Sequence, residues 1–198
     1  VTDKDELVLD YLASTNQTTI FNLASHSYFN LAGEGSGDAM YQELMINAKF
    51  FTPTDDGNVP TGEILSVKGT PMDFTTSHPI GRNINDNFEQ LKFGNGYDHN
   101  WVLDHPANEL GLAAIAHDPK SGRVMEIHTT QPGVQLYSSN WMDNEKGKGG
   151  KKYQRRCAFC LETQHFADAI NKPHFPTVVL NPGETYKHSC VHRFYVKK

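Results

Sequence analysis

The stretch Tyr186-Lys187-His188-Ser189-Cys190-Val191-His192-Arg193-Phe194-Tyr195-Val196 decides the fold. Successive side chains of an extended strand point to opposite faces, so Tyr186, His188, Cys190, His192, Phe194 and Val196 share one of them. Just before it, Asn181-Pro182-Gly183-Glu184 predicts a type II turn, because Pro presets the first central φ and Gly accepts the positive φ at the second. A turn followed by an alternating run is the mark of an antiparallel strand. Outward from here the same pattern repeats. Short β-rich runs are predicted over 7–13, 18–23, 44–51, 100–103, 111–117, 124–129, 134–138, 158–163 and 177–180. Asp118-Pro119-Lys120-Ser121-Gly122 reads as a second hairpin-like turn. Helical signal is confined to a turn or two over 86–92, and the KGKGGKK stretch, Lys146–Lys152, reads as a mobile surface loop.

Sixteen glycines and 10 prolines punctuate the chain throughout instead of gathering into a linker. Many short strands at even spacing predict an all-β sandwich or barrel, and residues 1–198 show no composition shift that would divide them into two domains. Alternation of Leu7, Leu9, Tyr11 and Ala13 places a strand almost at the first residue, which begins without Met. The expectation is that the chain is the C-terminal portion of something longer.

The charge balance of 18 Lys+Arg against 23 Asp+Glu argues against nucleic acid or an anionic membrane surface as a partner, since both demand a concentrated basic face. No apolar run approaches the ~20 residues that cross a bilayer. Val1–Glu6 is acidic where a secretory signal would be basic and then apolar. Three cysteines are too few for a disulfide scaffold, and the expected setting is the reducing cytoplasm.

Four clusters could carry chemistry. His26 lies in Asn22-Leu23-Ala24-Ser25-His26-Ser27-Tyr28-Phe29-Asn30-Leu31, flanked by hydroxyl and amide side chains able to orient its ring. It reads either as a reacting imidazole or as a satisfied histidine at a strand end. Asp98 lies in Gly96-Tyr97-Asp98-His99-Asn100-Trp101, where polar side chains beside aromatics suit a sugar, and where an Asx turn fits equally. Glu162, in phase with Ala158 and Cys160, is either a partly buried carboxylate fit for general-base work or a solvent-facing residue of an edge strand. Cys157-x-x-Cys160 with His188, Cys190 and His192 offers zinc ligand types, but residues three apart on a strand face opposite ways, so no metal is assigned.

Taken in order, these segments resemble the aldose 1-epimerase (galactose mutarotase) family. The resemblance runs the length of the chain. It is carried by His26-Ser27-Tyr28-Phe29-Asn30-Leu31, Thr52-Pro53-Thr54, Gly62-Glu63-Ile64, Gly96-Tyr97-Asp98-His99-Asn100 and Ser121-Gly122-Arg123. Further on it continues through Thr129–Tyr137, Cys160-Leu161-Glu162-Thr163-Gln164 and Pro182-Gly183-Glu184-Thr185-Tyr186. It implies a large twisted antiparallel β-sandwich, incomplete at its N-terminus, and an enzyme that interconverts α and β anomers of hexoses such as galactose and glucose without metal or organic cofactor. It also implies His26 as general acid, Glu162 as general base and Asp98 as the carboxylate that holds sugar hydroxyls.

The sequence departs from the family pattern in Ala24-Ser25, where Thr-Asn is usual, in Cys157-Ala158, where Ser-Gly is usual, and in Ala167, where Pro is typical. The family's N-terminal part, with a second active-site histidine and a sugar-binding arginine, has no counterpart. Arg82, Arg123, Arg155, Arg156 and Arg193 are no evident substitutes for that arginine, because none lies in the motif corresponding to it. A non-catalytic, truncated or sugar-binding module that needs an N-terminal partner segment is therefore the alternative to a working isomerase. An epimerase of phosphorylated hexoses would need clustered Arg or Lys at the site, which these motifs lack.

Overall fold

The computed structural model describes residues 1–197. In chain order the strands are β1 (Glu6–Ala13), β2 (Thr19–Ile20), β3 (Glu43–Ile46), β4 (Ala48–Thr52), β5 (Leu65–Ser66) and β6 (His78–Pro79). After the short helix α1 (Glu89–Phe93) come β7 (Asp98–Leu103), β8 (Gly111–His117), β9 (Arg123–Thr129), β10 (Gly133–Tyr137) and β11 (Glu145–Lys146). The last four are β12 (Lys152–Tyr153), β13 (Cys160–Gln164), β14 (Val179–Leu180) and β15 (Tyr186–Val196). They form a six-stranded sheet in the order β1-β15-β9-β8-β3-β6, a five-stranded sheet in the order β13-β10-β7-β4-β5, and the small pairs β11-β12 and β14-β2. Every pairing is antiparallel.

The fold is the expected all-β sandwich. Leu44, Ile46, Ala114, Ala116, Met125, Ile127 and Cys190 of the larger sheet share one buried cluster with Phe51, Trp101, Val134, Leu136 and Leu161 of the smaller. Alternation contributes to this: in β3, Leu44 and Ile46 are buried while Glu43 and Met45 are only half-buried. The β15 pattern holds, with His188, Cys190 and His192 buried on one face, and Gly183 takes the positive φ of the turn before it, 89°. The Asp118–Gly122 turn closes as expected, Gly122 N–H donating to the Asp118 carbonyl at 2.8 Å.

Several boundaries differ from the sequence reading. The run 44–51 is not one strand. Asn47 breaks it: its N–H donates to Ala113 O, 2.8 Å away beside the larger sheet, while its carbonyl accepts from Asp104 N at 2.9 Å beside the smaller one. Its side-chain Nδ2 donates to Leu112 O at 3.1 Å, which fixes the crossover. The run continues on both sides because each half buries apolar residues, but in different sheets. The runs 18–23 and 177–180 shrink to the two-residue β2 and β14, which pair with each other. The KGKGGKK stretch is exposed, as expected, but its ends pair as β11 and β12 instead of forming an irregular loop. Helix α1 is five residues long and starts at Glu89, three residues later than expected.

Trp101 is the largest side chain buried completely; its Nε1–H donates to Met72 O at 2.9 Å, and its ring meets Phe74 edge-on at 5.9 Å. Trp101→Ala is expected to remove about 3–5 kcal/mol of stability, read as a fall in the urea midpoint. A loss below ~1 kcal/mol would show that the two sheets are not held by this cluster.

Candidate active site

The inner face of the five-stranded sheet is apolar; its outer face is polar. Cross-strand register puts Glu162 opposite Gln135, Gln135 opposite Asn100, and Asn100 opposite Thr52, so four polar side chains form one row across β13, β10, β7 and β4. The adjacent row aligns Cys160, Tyr137 and Asp98. Such directly opposed residues share a face and touch their diagonal neighbours. Gln135 Nε2 accordingly donates across the diagonal to Asp98 Oδ1 at 2.9 Å. Asp98 thus sits in the strand and holds no Asx turn.

His26 comes from outside the sheet. The segment that carries it is fastened at both ends to β13. At one end Asn22 Nδ2 donates to His165 O at 3.0 Å and its Oδ1 accepts from His165 N at 3.1 Å. At the other, Phe29 and Phe159 exchange backbone hydrogen bonds of 2.8 and 3.0 Å. Asn30 secures this second end: its Nδ2 donates to Cys157 O at 2.9 Å, and its Oδ1 accepts from Gln42 Nε2 at 2.7 Å. Between these fastenings His26 Nε2 lies 3.4 Å from Glu162 Oε1. The rings of Tyr28 and Tyr137 flank the imidazole at centroid distances of 5.1 and 5.9 Å.

Of the flanking side chains only Tyr28 packs against the His26 ring among the described residues; the serines and Asn30 are engaged elsewhere. Ser25 and Ser27 bond to each other at 3.0 Å, and Asn30 is used on the backbone. The ring is set by Glu162, Tyr28 and Tyr137 instead, all but Tyr28 remote in sequence. Gln135 was missed as well. It lies inside the Thr129–Tyr137 motif, and the available signal was its alternation with Leu136, which puts it on the polar face.

The electrostatics follow from depth. Glu162 is on the edge strand, yet its side chain is only 12% exposed, beneath a His26 that is 51% exposed. Burial raises the Glu162 carboxyl, His26 opposes that shift, and Asp98 adds to it. Asp98 is likewise raised by burial, against the pull of the Gln135 hydrogen bond and of His26. Two carboxylates and an imidazole therefore share one partly desolvated face, where neither carboxylate is held as an inert anion. A small cavity beside Asp98 is lined by Thr52, Thr54, Asn100 and Gln135, and Asn100 Oδ1 is buried there without a hydrogen-bond partner. Among the described residues no His, Cys, Asp and Glu side chains cluster in a way that could hold a metal ion. Among the described residues neither Arg nor Lys lines that cavity.

The β-sandwich thus presents an imidazole–carboxylate pair beside a second carboxylate and neutral amides, groups able to give and take protons and hydrogen bonds on one face. The chain belongs to the aldose 1-epimerase family, whose model matches residues 1–193. It is 46% identical over 195 residues to galactose mutarotase from Bos taurus and 43% identical over 195 residues to that from Homo sapiens, in each case covering 98% of this chain and 55% of the relative. Aldose 1-epimerase from Escherichia coli (strain K12) is 30% identical over 196 residues, 98% of this chain and 56% of the relative. Among solved structures, an aldose epimerase homologue from C. elegans superposes with a TM-score of 0.87 at 28% identity, over 99% of this chain and 57% of that one. Galactose 1-epimerase from Lactobacillus acidophilus superposes at 0.83 and 25% identity, over 99% and 55%. The chain thus spans about half the length of the curated relatives it matches.

Proposed function

We propose that this protein catalyses the interconversion of α and β anomers of a hexose, galactose or glucose, with His26 as general acid, Glu162 as general base and Asp98 holding sugar hydroxyls. The observation that carries the reading is the 3.4 Å approach of His26 Nε2 to Glu162 Oε1 beside Asp98 on the same sheet face. Glu162 takes the proton of the C1 hydroxyl. The C1–O5 bond breaks, C1 becomes an aldehyde, and O5 receives its proton from His26. Rotation about C1–C2 followed by the reverse proton transfers closes the other anomer. Gln135 orients Asp98 through the hydrogen bond from its Nε2. No step requires a metal or an organic cofactor.

Names of the relatives support galactose as the substrate. The core shared by both sheets supports treating the residues as one domain. Among the described residues no helix is long and apolar enough to cross a membrane. The free thiols Cys157, Cys160 and Cys190 support a reducing, cytoplasmic setting.

Polarimetry of freshly dissolved α-galactose tests the proposal. The protein is expected to bring the rotation to equilibrium faster than buffer alone. A folded protein that leaves the buffer rate unchanged overturns it, and binding of galactose without any acceleration would identify a sugar-binding module that needs the remaining half of the family's length.

A further inference from the structure

Asp98 opens β7, so its position depends on the loop 94–97 that precedes it. That loop is held by a knot of three chain segments with Arg156 at its centre. The Arg156 guanidinium donates to Ser138 Oγ at 2.6 Å, to Ser138 O at 3.2 Å, to Asn95 O at 2.7 Å and to Asn140 Oδ1. Asn140 Nδ2 in turn donates to Gly94 O at 2.6 Å and to Tyr97 O at 2.9 Å. Ser138 Oγ accepts from Tyr97 N at 3.0 Å, and Arg156 N–H donates to Ser139 O at 3.1 Å. Gly96 comes so close that any Cβ there would collide with the guanidinium.

Each of the three segments leads to or from a strand of the candidate site. Residues 94–97 enter β7 and Asp98; residues 138–140 leave β10, which carries Gln135 and Tyr137; residues 155–156 run toward β13 and Glu162. Every partner of the guanidinium is a neutral oxygen, and among the described residues none of the ion pairs includes Arg156. Half-burial, and after it the neighbouring positive charge of Arg155, lower its pKa to about 10 against the weaker pull of Asp38. A cation desolvated among carbonyls and amides is a costly way to gain stability. What the rigid five-donor fork supplies is a fixed geometry among several oxygens at once.

We propose that Arg156 is a positioning residue: by locking the three segments that flank β7, β10 and β13, its guanidinium sets the placement of Asp98 relative to Glu162. This rests on the reading of those two carboxylates as the sugar site. Arg156 has a φ of 70°, a conformation Gly adopts freely, so Arg156→Gly removes the side chain without adding backbone strain. The comparison is Arg155→Ala, since Arg155 is exposed and reaches Asn95 alone.

Two readouts apply: NMR of the Asp98 carboxyl and Gln135 side-chain amide without sugar, and the galactose KM and kcat. In Arg156→Gly both resonances are expected to move and kcat/KM to fall on the order of 10- to 100-fold, mainly through KM. Methylguanidinium is expected to restore both by refilling the vacated space, while Arg155→Ala stays at wild-type values. Arg156→Lys keeps the charge but not the fork. It is expected to show the same shifts without rescue, and it carries the test if the Gly variant does not fold. Wild-type resonances and KM in a folded Arg156 variant, or a shift in the Gly variant that methylguanidinium leaves in place, overturn the proposal. Because the NMR arm needs no turnover, a wild-type protein inactive in polarimetry would refute the proposed activity and leave the positioning role decidable.

Discussion

Glu162→Gln is expected to slow anomer interconversion by ~10²–10⁴-fold, the usual contribution of a well-placed general base. The substitution preserves size and shape, so the Gln135, Tyr137 and His26 contacts need not move; what it removes is the carboxylate proposed to take the C1 hydroxyl proton. Three features of the site support so large an effect. The carboxylate is 12% exposed, His26 Nε2 is 3.4 Å away, and burial raises its pKa toward the range where a base is both free and strong. The sign of the pH dependence follows. A raised carboxyl stays protonated to higher pH, so the acid limb of kcat/KM is expected to lie above the ordinary glutamate value of about 4.3. Because His26 and Glu162 face each other, that limb belongs to the pair and not to one residue. It should vanish in Glu162→Gln along with most of the rate. Asp98→Asn makes the contrast, with a rise in KM that exceeds the fall in kcat, since the role proposed for Asp98 is to hold the sugar and not to move a proton. A Glu162→Gln protein as fast as wild type in polarimetry would remove the residue from the mechanism.

How much of this was legible in the sequence depends on how local each cause is. The strand β15, the turn at Gly183 and the turn at Gly122 are set by alternation and by residues that accept a positive φ, so they could be read directly. Glu162 was legible as a candidate from its phase in a strand, and Asp98 from its polar neighbours beside aromatics at a strand mouth. Their meeting with His26 was not, because it depends on pairing β7, β10 and β13 in one register and on fastening the His26 segment through Asn22 and Asn30. The break at Asn47 was hidden for a related reason: both sheets bury apolar residues, so hydrophobicity runs through the crossover unchanged. Arg156 was invisible as a site component, since its partners lie 16 to 61 positions away. The resemblance to a family singled out the three proposed residues, and the cross-strand register together with the fastening of the His26 segment gives a physical reason for their proximity.

Acid is expected to destabilise the protein well before its carboxylates reach their ordinary range. His99, His188 and His192 are at most 2% exposed, and burial lowers each to about 4. Among the described residues none is in an ion pair. Their hydrogen bonding suits neutral rings. His99 Nδ1 accepts from Asp98 N at 3.1 Å, so a proton there would confront a donor. His188 stacks on Tyr11 at 4.8 Å with Nε2 3.1 Å from Thr163 Oγ1, and His192 packs on Phe29. In the unfolded chain each takes up a proton near the ordinary value of about 6.5, in the folded protein only near 4. Between those limits unfolding binds protons, so stability is full above about pH 6.5 and is lost as pH falls, by up to about 4 kcal/mol per pH unit for three histidines. Glu162 and Asp98 act in the opposite sense: their raised carboxyls bind protons more readily when folded and offset part of the loss. Urea unfolding at pH 7.5, 6, 5 and 4.5 measures the balance. The slope between pH 6 and 5 should exceed one proton, and His192→Phe should reduce it by about one proton at its acid end. A stability flat from pH 7.5 to 5 would mean that these histidines are charged or reach solvent in the folded protein, and with it the dry interior between the two sheets would be lost as an explanation.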